Sequence, residues 1–97
     1  MHRAEAIATL QAHQTELQRL GIEHLYLFGS TARDEARPDS DVDLFFDHPE
    51  ASLGLFELMD IKEITARILG CKTEIMTRRS LHPVLRPAIE ASARLIF

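Results

Sequence analysis

The chain has 97 residues and a net charge of −4, from 11 Lys and Arg against 15 Asp and Glu. That length fits one domain, residues 1–97, with a modest core and no room for a second lobe, and the acidity argues against non-specific nucleic-acid binding. A balance of 45% apolar and 27% charged residues excludes disorder, and Cys71, the only cysteine, excludes an internal disulfide and a cysteine-rich zinc site.

Residues 4–20 read as one helix. Ile7, Leu10, Leu17 and Leu20 share a face with Gln14, and Gly21 stands where a left-handed residue ends the helix. From Ile22 to Phe28 a short apolar run, His24-Leu25-Tyr26-Leu27-Phe28, predicts a strand covered on both faces, with Tyr26 and Phe28 in the core. Thr31 to Ala36 is long enough for one or two helical turns, with Ser30 as N-cap, and Pro38-Asp39-Ser40 marks a loop.

Asp41 to Asp47 alternates as a strand. Val42, Leu44 and Phe46 take one face, while Asp41, Asp43, Phe45 and Asp47 take the other, and His48-Pro49-Glu50 ends it. A longer helix is expected from near Ser52 to Leu69, with Leu55, Leu58, Ile61, Thr65 and Ile68 on its core face and Gly70 closing it. Residues 72–77, KTEIMT, predict a strand with Glu74 and Lys72 on the face opposite Ile75. From Ser80 the chain turns helical again, with Pro83 in a first turn and Pro87 early in the helix, and residues 94–97 fit either a last helical turn or an edge strand. The order αβαβαβα is that of an α/β domain with a small mixed sheet flanked by helices. No signal peptide, long apolar span or lipidation motif is present, so the cytoplasm is the expected compartment.

The chemistry concentrates in Gly29 to Asp43, GSTARDEARPDSDVD. Glycine between a strand and a helix lets the backbone approach a ligand closely, and the helix start offers free N–H groups to a phosphate. Ser30 adds a hydroxyl. Either half of this stretch alone reads equally as structure: a serine-capped turn, or a solvated strand face. Asp41 and Asp43 are two apart on a strand, so both carboxylates leave one face about 7 Å apart. Two such groups repel unless a cation or water lies between them, and hard oxygen donors suit magnesium carrying nucleotide phosphates.

Gly29-Ser30, ten residues, then Asp41-Val42-Asp43 resembles the signature of the polymerase-beta-like nucleotidyltransferase superfamily. With the flanks Thr31-Ala32-Arg33 and Pro38-Asp39-Ser40, and the tail Leu81-His82-Pro83-Val84-Leu85-Arg86-Pro87, the chain is similar to its smallest branch, the minimal nucleotidyltransferase (MNT) antitoxins that accompany HEPN toxins. That resemblance implies a polymerase-beta-like nucleotidyltransferase fold. It also implies Mg2+, ATP as substrate, and transfer of AMP to a hydroxyl, a tyrosine of the HEPN toxin, with release of pyrophosphate. Asp41, Asp43 and Glu74 would then serve as metal ligands and catalytic groups, with Gly29, Ser30 and Arg33 holding the nucleotide. Glu74 stands where the family more often has aspartate, and Asp34 where relatives often have glycine. A hetero-oligomer with the toxin follows, with neither membrane nor direct nucleic-acid contact. Two alternatives stay open: an antitoxin that neutralises by binding alone, and an adenylyltransferase acting on a small molecule. Arg37, Arg78, Arg79 and Arg86 are read as solvated or partner-facing, and the five histidines stay outside the site.

Overall fold

The computed structural model describes residues 1–49 and 53–97. The expected helix start at Ser52, and Glu50 in the strand-ending turn, lie outside the described residues. Four strands form one mixed sheet: β1 (His24–Phe28), β2 (Val42–Asp47), β3 (Thr73–Thr77) and β4 (Arg94–Leu95), in the order β3-β2-β1-β4. β1 is antiparallel to both β2 and β4, while β2 and β3 are parallel. A parallel pair cannot close with a hairpin and needs a crossover, which the 15-residue helix α4 (Leu55–Leu69) supplies. Residues 94–97, open between helix and strand in the sequence, thus contribute the edge strand β4.

The main core lies between the helices and one sheet face, where Leu25, Leu27, Val42, Leu44, Phe46 and Ile75 meet Ala6, Leu10, Leu17, Ile61 and Leu69. Cys71 packs at the margin of this core. Each fully buried leucine or isoleucine there contributes about 2 kcal/mol.

Residues 4–20 are not one helix. They form α1 (Arg3–Gln11) and α2 (Gln14–Arg19), separated at Ala12 and His13. The His13 N–H donates to the Leu10 carbonyl three residues back, and His13 Nδ1 lies 2.9 Å from the Thr9 carbonyl oxygen, which tightens the chain out of α geometry. The break lets Ala6, Leu10 and Leu17 reach full burial together, while Ile7 and Leu20 are half-buried and Gln14 is exposed.

In α4 the buried stripe is Ile61, Thr65 and Leu69, and the Thr65 hydroxyl is satisfied by donating to the Ile61 carbonyl at 2.7 Å. At 3.6 residues per turn Leu55 lies roughly 80° from the centre of that stripe, so it is 70% exposed and not on the core face. The helix closes at Gly70 with φ +68°, as expected, and a Cβ there would meet nothing within 4 Å. Gly70→Ala therefore carries left-handed backbone strain without a clash, and a loss of about 1 kcal/mol by urea denaturation is expected.

The opposite sheet face is only partly covered. Tyr26 and Phe28 are half-buried there, contrary to a strand buried on both sides, because only Leu25 and Leu27 face the helical layer. Tyr26 stacks on Phe45 with ring centroids 4.8 Å apart, and Phe28 tilts against Phe45 at 5.6 Å. Arg78 lies over this cluster, its guanidinium carbon 4.8 Å from the Tyr26 ring centre. It donates to both Asp47 carboxylate oxygens, at 2.7 and 3.1 Å, and to Glu90 of helix α5 (Arg86–Ser92). Arg78 is therefore a half-buried clamp fastening α5 to the sheet, not a solvated or partner-facing arginine. A single 3-10 turn, Arg78–Ser80, leads to this segment. Pro83 sits in a turn before α5, outside the helix, while Pro87 lies in its first turn.

Candidate active site

β1 ends at Phe28 and the chain turns into α3 (Gly29–Ala32), a single helical turn. Phe28, not Ser30, occupies the N-cap position, and Ser30 lies inside the first turn. Gly29 holds φ +74°, and the space its Cβ would take is filled by Asp43 Oδ2, with Asp43 Cγ 3.1 Å from the same point. The antiparallel register makes this contact unavoidable, because Phe28 pairs with Asp43. Glycine is thus required twice, for its dihedral and for the carboxylate against it.

The parallel register brings the third acid in. Asp43 pairs directly with Glu74 on β3, so Phe28, Asp43 and Glu74 form one row across three strands. Asp41 lies just before β2, two residues from Asp43. Burial raises the Asp43 pKa above the usual carboxylate value, and the neighbouring Glu74 and Asp41 charges raise it further, against an opposing pull from Arg33. The candidate acids are therefore assembled on one edge of the site, together with Gly29 and Ser30.

Two neighbours escape a sequence reading. Lys72 Nζ lies 3.8 Å from Asp41 Oδ2, so the acid pair does have a basic neighbour, one strand away. Glu74 is exposed and forms no ion pair among the described residues, since Lys72 goes to Asp41 and Arg78 to Asp47 and Glu90. Periodicity shows which face Lys72 and Glu74 occupy, but only the parallel register shows whom they meet. Arg33 is exposed and bonds Glu35 at 3.2 Å, yet its charge is felt at Asp43.

Asp34 explains itself by its backbone. It holds φ +59°, the one non-glycine residue with positive φ among those described, a backbone that glycine adopts without strain. Its carboxylate accepts the Arg3 backbone N–H at the start of α1, at 3.1 Å. An acid bonded to a free helix N–H is stabilising there. Asp34→Ala loses the cap and keeps the strain, so a loss of about 1–2 kcal/mol is expected, whereas Asp34→Gly should cost much less; thermal unfolding of the two variants side by side checks this.

A divalent ion fits the donor set in kind, as the repulsion that Glu74 and Asp41 exert on Asp43 would be relieved by a hard cation. Among the described residues no three His, Cys, Asp or Glu side chains already form a metal cage.

Residues 10–96 match the family model of the nucleotidyltransferase domain. The chain belongs to that family. It is 35% identical over 78 residues to the protein adenylyltransferase MntA of Thermococcus cleftensis, covering 79% of this chain and 78% of the relative. Among solved structures it is similar to a provisionally named minimal nucleotidyltransferase, with TM-score 0.82 and 32% identity, covering 97% of this chain and 95% of that one. It also shares the fold of a chain in the complex of a tri-AMPylated Shewanella oneidensis HEPN toxin with an MNT antitoxin, at TM-score 0.61 and 17% identity, covering 90% and 71%. The polymerase-beta-like nucleotidyltransferase fold expected from the motif is the one found.

Proposed function

We propose that this nucleotidyltransferase is an antitoxin that moves AMP from ATP to a tyrosine hydroxyl of a HEPN toxin partner. The observation that carries the reading is the row Asp43–Glu74 set against the Gly29 turn. The adenylyltransferase relative and the shared fold with a chain of the complex between an MNT antitoxin and a tri-AMPylated HEPN toxin support it.

In this reading Gly29 lets the triphosphate lie close to the backbone, and Ser30 and Arg33 bind its oxygens. Asp41 and Asp43, with Glu74 at their margin, would hold Mg2+, which supplies charge neutralisation of the phosphates. The acceptor oxygen attacks the α-phosphorus, a new O–P bond forms, the bond to the bridging oxygen breaks, and pyrophosphate leaves. The hydroxyl proton passes to a carboxylate. Glu74, which pairs with Asp43 across the strands and forms no ion pair among the described residues, is the candidate to take it. Residues 1–97 act as one domain, in the cytoplasm, in a hetero-oligomer with the toxin. No helix among the described residues is long and apolar enough to cross a membrane.

The test incubates the protein with its genomic neighbour, magnesium and ATP and reads the neighbour's mass. Increments of AMP are expected. A stable complex with no such increment would leave neutralisation by binding alone, and transfer to a small hydroxyl compound in place of the neighbour would move the substrate class. Glu74→Gln should slow transfer roughly 10²-fold, while Glu74→Asp, the residue more usual in the family, keeps it; single-turnover labelling with radioactive ATP separates the two.

A further inference from the structure

Three arginines from distant parts of the chain surround one groove that adjoins the candidate site at Arg33. Arg3 from α1, Arg33 just after α3 and Arg94 from β4 line about 500 Å³ together with Ala32, Glu35 and Ser92. Glu35 is the only acid in the lining and is already bonded to Arg33. The Arg3 guanidinium donates to the neutral Ala32 carbonyl at 3.2 Å and forms no ion pair among the described residues. The Arg94 side chain has no hydrogen bond or ion pair among the described residues. Three positive charges against one give the groove +2 in a chain of net charge −4.

The groove adjoins an open backbone. β4 ends the sheet order, and the Ile96 N–H donates to the Leu25 carbonyl at 2.8 Å. Antiparallel pairing alternates, so the N–H and C=O of Leu95 point away from β1. An extended chain could pair with that edge while its side chains meet the arginines. Among the described residues no aromatic ring lines the groove for base stacking, and the open β4 edge offers main-chain pairing that a polypeptide can take and a nucleic acid cannot. Carboxylates on a polypeptide fit better.

We propose that the groove and the β4 edge receive an extended acidic segment of the protein that is adenylylated. The identity of that protein as acceptor rests on the proposed function; the groove's preference for carboxylates does not. Arg94 pairs with Leu27, one residue from Phe28, which pairs with Asp43. β4 lies two strands from β2, about 10 Å, so residues flanking a docked segment come within reach of the acids.

The experiment measures fluorescence anisotropy of a labelled hexaglutamate peptide, with a hexauridine RNA and inorganic pyrophosphate as separate competitors. Salt-sensitive peptide binding is expected, weakened at least tenfold by Arg94→Glu and retained by Arg94→Lys, with ATP binding and the thermal midpoint unchanged in both. Equal peptide affinity in wild type and Arg94→Glu overturns the proposal. So does RNA or pyrophosphate binding that is tighter than the peptide's and lost in Arg94→Glu. AMP transfer by the wild type is read in parallel, so failure of the adenylyl-transfer reading appears there and not in the peptide measurement.

Discussion

Asp43→Asn should abolish AMP transfer, by roughly 10³-fold or more, while making the folded protein more stable. The first half follows from charge: an amide does not hold a divalent ion as a carboxylate does. The second half follows from the surroundings. Asp43 is partly buried beside Glu74 and Asp41, and all three effects raise its pKa in the fold. A carboxyl whose folded pKa lies above its unfolded value, about 3.9, adds nothing unfavourable while both states are protonated. Its stability contribution is lost as pH rises through the folded pKa, where the native state takes on the repulsion. The melting temperature of Asp43→Asn should therefore exceed that of wild type by a few degrees at neutral pH, and the gap should close as pH falls through the carboxylate range. Millimolar magnesium with ATP should raise the wild-type midpoint and leave the variant's unmoved. A variant less stable than wild type at pH 7 would show that the carboxylate is held by attractions absent from this account.

Gly29→Ala is expected to damage both fold and site. The backbone there sits at φ +74°, where a side chain costs about 1–2 kcal/mol, and the new methyl would occupy the place of Asp43 Oδ2. Strand pairing fixes both backbones, since Phe28 and Asp43 are partners, so the carboxylate must rotate away or the strands must part. A loss of about 2–4 kcal/mol by urea denaturation is expected, with ATP binding lost at temperatures where the variant remains folded. Ser30→Ala, which keeps the backbone, should weaken ATP binding only several-fold. Isothermal titration of both separates the cradle from the hydroxyl. Equal loss in the two would mean the hydroxyl, and not close backbone approach, carries the binding.

What the sequence makes legible here are features written in local pattern. β1, β2 and β3 lie within a residue or two of their apolar alternation, and Gly70 ends α4 where the last periodic leucine stops. Gly29 lies against Asp43, two residues from Asp41, at the end of the strand that their spacing indicates. The misses are tertiary. The division of α1 from α2 arises from one histidine bonding back to Thr9, for which no breaker residue signals. The Leu55 face fails because a stripe at intervals of four drifts from one at intervals of three. Arg78 reads as one more surface cation until its two acids, from positions 47 and 90, are brought beside it. Lys72 facing Asp41, and Glu74 facing Asp43, exist only through a strand register that no local pattern encodes.

That register has a consequence for how the molecule assembles. Hairpin-like pairing of β1 with β2 can bring Gly29 against Asp43 early, because the loop between them is short. The pairing of Asp43 with Glu74 joins positions 31 apart through a parallel crossover, which requires α4 to form and dock first, and such closures are slow. Two like charges then meet at the seam as it closes. The β2–β3 seam at the acid centre thus depends on α4 as the β1–β2 pair does not, so substitutions that loosen α4, such as Ile61→Ala, would extinguish transfer while β1 and β2 still exchange their amide hydrogens slowly.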